Sequence, residues 1–195
     1  MHLPHLKRSD LMSLEQYSTA RKEFRAKVLE HKRNRSLALG ANATWTFEDQ
    51  LTMQYQVQEM LRVERIFEAD AIQEELDAYN PLIPDGRNWK ATFLLEFPDA
   101  DERRHRLAQL KGVEDRCWVQ VADCERVWAV ADEDLEREND EKASSVHFLR
   151  FELSEPMCAR VKAGAAVAAG IDHDNYRQEV GLPQNVRDSL AKDLR

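Results

Sequence analysis

Cysteine is scarce in this 195-residue chain: Cys117, Cys124 and Cys158 make three, an odd number, with no C-x-x-C spacing. Such a set excludes a disulfide framework and a thiol zinc knuckle, and it fits a reducing, cytoplasmic setting. Long apolar runs are also missing, so no segment is expected to span a bilayer. The first residues, "MHLPHLKRSD", lack the apolar stretch of a signal peptide. Positive charge is in deficit: Lys plus Arg is 28 against 36 Asp plus Glu, a formal net charge of −8. A chain of that sign repels phosphates, which speaks against nucleic-acid binding. Neither G-x-G-x-x-G nor G-x-x-x-x-G-K-[ST] occurs, so nothing suggests a nucleotide-phosphate cradle. G-x-S-x-G and H-E-x-x-H are absent as well. The run Asp132-x-Asp134-x-Glu136 starts like a calcium loop, but Arg137 stands where the sharp turn needs glycine and Ala143 where a bidentate Glu belongs.

What is present describes a globular protein: 43% hydrophobic and 33% charged residues, with no repeats, low-complexity tract or Gly/Ser linker. We expect a single domain over residues 1–195, with a helical half (1–80) and a β-rich half (90–195). Ser13 with Gln16 forms a capping box, and Leu14, Tyr17, Phe24 and Val28 then mark the apolar stripe of a helix that ends near Arg35. "SLALGANATWTF" reads as strand, turn, strand, and a second helix is expected over Asp49–Glu68. "ADAIQEELDAYN" continues as helix, and "PLIPDGRNWK" as an ordered loop around Trp89. "ATFLLEF", "RCWVQVAD" with "RVWAVAD", "SVHFLRFEL" and "AAVAAGID" read as strands, and three shorter helices separate or follow them. Strands that follow one another rather than alternate with helices give an α+β fold, its N-terminal helices packed on a mainly antiparallel sheet.

Polar groups in apolar company mark the candidate sites. Projected at about 100° per residue, the second helix gathers Gln54, Gln58, Arg62 and Arg65 on one thin face and leaves Glu59 and Glu64 within an apolar arc. A buried carboxylate needs an arginine, a proton or a metal. On "VHFLRFEL" the period of two places His147 beside Leu149 and Phe151, and Glu96 lies on a neighbouring strand. Glu59, Glu64, Glu96 and His147 thus form a candidate buried polar or ligand site, with Glu59, Glu64 and His147 the ligands if a metal binds. Arg62, Arg87, Lys90 and Arg150 form a candidate anion site. Charge is segregated too. Residues 7–35 carry nine cations (Lys7, Arg8, Arg21, Lys22, Arg25, Lys27, Lys32, Arg33, Arg35) against four acids, and residues 132–142 carry seven acids. Such runs are solvated faces or docking faces.

Four stretches taken together, "FEDQLTMQYQVQEMLRVERIFE", "EELDAYNPLIPDGRNWKATFLLEF", "ADEDLEREN" and "SSVHFLRFEL", resemble a bacterial domain-of-unknown-function family of about 200 residues. The resemblance implies gene neighbours of the rubrerythrin-like and iron–sulfur oxidoreductase kinds, and so a redox or peroxide-stress setting. It supplies no activity and assigns no catalytic residues, and it leaves the cofactor unknown. Two readings follow: a cytoplasmic accessory protein that binds such a redox partner, or a small carboxylate/histidine metal-binding protein or enzyme.

Overall fold

In the computed structural model, the structure describes residues 5–133 and 142–195. His2 and most of the acidic run after Glu133 lie outside them. Helix α1 (Leu14–Arg33) starts at the Ser13–Gln16 capping box, as the sequence anticipates, and carries His31, Lys32 and Arg33 in its last turn. Strands β1 (Ser36–Ala38) and β2 (Ala43–Phe47) form the expected pair. Helix α2 (Gln50–Val63) is capped by Asp49, which exchanges hydrogen bonds with Thr52. After α3 (Ala69–Tyr79) come β3 (Asn88–Leu95), α4 (Ala100–Gln109) and β4 (Cys117–Val121). Two short strands, β5 (Val127–Trp128) and β6 (Val130–Ala131), precede β7 (Val146–Glu152). Helix α5 (Glu155–Lys162), strands β8 (Val167–His173) and β9 (Tyr176–Gly181), and α6 (Gln184–Ala191) close the chain.

The strands form two antiparallel sheets, ordered β1-β2-β3-β7-β6 and β5-β4-β8-β9, so the fold is α+β as expected. In the first sheet every second residue points inward. Trp45, Phe93 and His147 are register partners across β2, β3 and β7, and Trp89, Leu149 and Phe151 share their face. These side chains join Cys117, Val119, Val121, Ala169 and Ile171 of the second sheet in one core, which α4, α5 and α6 complete with Leu107, Cys158, Val161, Val186 and Leu190. A second, smaller cluster links Leu6 to Met53, Val57, Leu61, Leu76 and Ile83 beneath α2 and α3. No helix among the described residues is long and apolar enough to cross a membrane.

The hairpin expected from "RCWVQVAD" and "RVWAVAD" is present, but its second arm divides. Trp128 pairs with Trp118 in one sheet, and after Ala129 the same arm pairs Val130 with Arg150 in the other. Gly170 sits opposite Trp118. A Cβ there would lie 2.4 Å from the indole, so the ring packs on bare backbone, and Arg126 covers the ring at 3.8 Å.

Three expectations are corrected. Helix α2 stops at Val63, short of the expected Glu68, because Arg65 adopts a left-handed conformation (φ 55°); Val63 and, past the helix, Phe67 are 62% and 70% exposed. Its thin polar face is partly covered: Gln58 is fully buried and bonds both the amide and the carbonyl of Met12. Asn88, Trp89 and Lys90 belong to strand β3 rather than to a loop, and Trp89 donates its indole N–H to the Leu190 carbonyl at 3.1 Å. Strand β9 was not foreseen. Its sequence, "YRQEVG", buries little beyond Tyr176, so it carries a weak apolar alternation.

Candidate functional site

The carboxylate of Glu59 is answered from α1. Arg21 donates from Nε and Nη2 to its two oxygens at 2.8 and 2.9 Å, and the Tyr17 hydroxyl donates at 2.6 Å. The Arg21 fork, opposed by burial and helped by Tyr17, lowers the Glu59 carboxyl to about 2. A folded value below the ordinary one means that this pair contributes stability above the usual carboxylate range and loses it as pH falls toward about 2. Burial also pushes the Tyr17 phenol up, so its hydroxyl keeps its proton as a donor.

Around this pair the two helices make a basic cleft. Ser18, Arg21, Lys22, Arg25 and Arg62 line about 460 Å3 of open space. Among the described residues, only Arg21 of these four cations meets a carboxylate. Helical spacing explains the cluster: residues 18, 21, 22 and 25 share one flank of α1, and Arg62 stands one turn beyond Glu59 on α2.

His147 occupies a different place, fully buried on the inward face of β7. Its Nδ1 lies 2.6 Å from Asp132 Oδ2, and its Nε2 lies 3.0 Å from the Ser144 carbonyl and 3.8 Å from Glu114 Oε2. A backbone carbonyl only accepts, so Nε2 donates to Ser144, while Nδ1 shares a hydrogen with Asp132 Oδ2. Asp132 is fixed in turn. It sits at φ 48°, its Oδ1 accepts the Phe148 N–H at 2.8 Å, and its own N–H donates to the Phe148 carbonyl at 2.8 Å. Glu114, Asp132 and His147 are the one His/carboxylate grouping among the described residues whose ligand atoms all lie within 4.8 Å of one another.

The four residues expected to converge therefore do not. Glu59 faces α1, while Glu64 is the exposed C-cap of α2. Glu96 is exposed just past β3; by the parity of the strand it shares the face opposite Phe93, the residue that pairs with His147. Among the described residues the carboxylates grouped with His147 are Glu114 and Asp132, not Glu59 and Glu64. The anion set also divides. Lys90 and Arg150 are cross-strand partners on the outer face of the first sheet, Arg62 lines the basic cleft, and Arg87 is exposed, with its backbone engaged by Asp85 and Leu153. Glu114 carried no signal in the sequence, since it lies in a short helical turn (Glu114–Arg116) with no apolar pattern of its own. Asp132 was visible only as part of a failed calcium loop. The thiols are bystanders: Cys117 is fully buried, burial pushes it well up, and its Sγ–H donates to the Val113 carbonyl.

Comparison with known proteins returns the same answer from sequence and from shape. No curated protein matches. A solved structure, described as a novel protein of unknown function from Burkholderia pseudomallei K96243, is 47% identical to this chain, superposes with a TM-score of 0.94, and the match covers 98% of this chain and 100% of that one. The family model for proteins of unknown function designated DUF3501 matches residues 5–194, and the chain therefore belongs to the DUF3501 family.

Proposed function

We propose that this protein is a cytoplasmic, non-catalytic accessory protein that docks the acidic face of a redox partner on the basic cleft between α1 and α2. The partner class is the one the sequence resemblance implies, rubrerythrin-like or iron–sulfur. The observation that carries the reading is the cleft itself: Arg21, Lys22, Arg25 and Arg62 converge on one patch of a chain whose net charge is −8. Clustered cations with one answering carboxylate steer and orient an acidic surface, chiefly through the rate of encounter. Exposed Val63 and Phe67 follow Arg62 along the chain and offer apolar contact beside the charge.

The test uses purified protein and a purified rubrerythrin-like or iron–sulfur protein from the same organism. Affinity is expected to fall about tenfold between roughly 20 and 200 mM salt, as screened charge pairs require. The double variant Arg25→Glu/Arg62→Glu should lose that binding with an unchanged melting temperature. Binding that ignores both salt and the double variant rejects the reading.

A second reading, a small metal-binding protein, rests on the grouping of Glu114, Asp132 and His147. One imidazole and two carboxylates suit a Zn2+, Mn2+ or Fe2+ ion, which would take the place of a ring proton. Elemental analysis of protein purified without a histidine tag is then expected to approach one metal per chain. Less than about a tenth of a metal per chain, with no thermal shift on adding these ions, removes this reading.

A further inference from the structure

We infer that the groove between α3 and the outer face of β3 and β7 binds a small amphipathic monocarboxylate, its carboxylate taken by Lys90 and its apolar body by Tyr79, Leu82 and Phe148. The groove encloses about 540 Å3, within the range of small-molecule sites. Its walls are mostly apolar, and its charged groups are few: Lys90 and Arg150 on the strands, Glu133 beside Arg150, and Asp77 on α3.

The charges there are unequally answered. Lys90 and Arg150 stand directly opposite each other across β3 and β7, a like-charged pair that repels. Arg150 is answered by carboxylates: it forks onto Glu133 at 2.8 and 2.9 Å and donates to Glu152 at 2.8 Å. Lys90 meets only a neutral acceptor, the Pro81 carbonyl, at 2.5 Å from Nζ, and makes no ion pair among the described residues. An ammonium has three donors, so two remain for a ligand. Burial in this wall, with Arg150 adding to it, pulls the Lys90 ammonium below its ordinary range despite the nearby carboxylates. A carboxylate at Nζ would offset both the lost hydration and the repulsion.

Ligand charge follows from the same count. Lys90 and Arg150 together balance Glu133 and Glu152, so the groove holds no surplus positive charge for a dianion; the two donors left on Lys90 Nζ suit a single carboxylate, and a phosphate dianion would also meet Glu133 and Asp77. Selectivity should therefore lie between carboxylate and neutral analogues of one shape.

The test is titration of the full chain with decanoate and with decanol, followed by calorimetry and by NMR shifts at Lys90, Tyr79 and Phe148. Decanoate is expected to bind at least about tenfold more tightly than decanol. Lys90→Gln should bring decanoate down to the decanol level without lowering the melting temperature, and Phe148→Ala should weaken both. The inference is overturned if decanol binds as tightly, if Lys90→Gln leaves decanoate binding unchanged, or if decanoate shows no saturable binding in the submillimolar range. The cleft variant Arg25→Glu/Arg62→Glu should leave decanoate binding intact, so this site and the docking cleft stand or fall separately.

Discussion

Replacing Arg35 with methionine is expected to lower stability by about 3–5 kcal/mol, the cost of removing one partner from a buried ion pair. Arg35 follows α1 and is 1% exposed. Its Nε donates to the Phe47 carbonyl at 2.8 Å and its Nη2 to the Glu48 carbonyl at 3.1 Å. The same guanidinium holds Asp193 at 2.5 and 3.3 Å and reaches Ser189 Oγ at 3.3 Å. One side chain thus ties the end of α1, the end of β2 and the segment after α6. For a chain of this length the loss corresponds to a fall of about 10 °C in Tm by calorimetry. The variant should also change the pH dependence. Burial raises the Asp193 carboxyl to about 6, and Arg35 restrains that rise. A carboxyl raised on folding favours the folded state most below its ordinary range, and that contribution declines as pH climbs through the folded value. Without Arg35 the folded value moves higher, so the deficit of the variant should widen between about pH 6 and pH 8. An equal deficit at both ends would show that Asp193 is not the group left unanswered. Arg35→Met with Asp193→Leu should recover part of the loss, because an apolar pair leaves no charge unpaired.

His147→Phe is expected to cost about 3 kcal/mol in urea unfolding, read as a lower midpoint at unchanged slope. The aromatic shape is kept beside Phe93, whose ring lies 5.8 Å away. What is lost is the hydrogen bonding of the ring to Asp132 and to the Ser144 carbonyl, beside Glu114. Asp132→Asn should cost less, since the amide oxygen still accepts from the Phe148 N–H and the amide NH2 can donate to Nδ1 of a ring whose Nε2–H serves the Ser144 carbonyl. A His147→Phe change within about 0.5 kcal/mol of the parent would show that the ring's hydrogen bonds contribute little.

Much of the scaffold was legible in the sequence because its signals are local. The Ser13–Gln16 cap and the alternation of "SVHFLRFEL" each specify an element within a few residues. The sites were less legible because their partners are distant in sequence. That Glu59 needs an answer follows from the helical projection; that Arg21, 38 residues away, supplies it does not. His147 was marked by its apolar face, yet Glu114 and Asp132 join it only through the pairing of β6 with β7 and the short turn before β4. Glu96 misled because residue parity is sensitive to one position: it belongs to the face that Phe93 and His147 do not use. Helix α2 was drawn too long because the left-handed Arg65 leaves no glycine or asparagine to mark the stop.

The divided arm at Val127–Ala131 also bears on how copies of this protein meet. An unpaired strand edge is a template for another chain, and folds blunt it with short strands. Here one arm supplies the outermost strand of both sheets, β5 for one and β6 for the other, each of two residues. Neither offers enough backbone for a stable ladder with a neighbour. At the far ends stand β1, with three residues, and β9, with six. Among the described residues, the longest edge open to another copy is therefore β9, along "YRQEVG", where Arg177 and Glu179 set the charges that an incoming strand would meet.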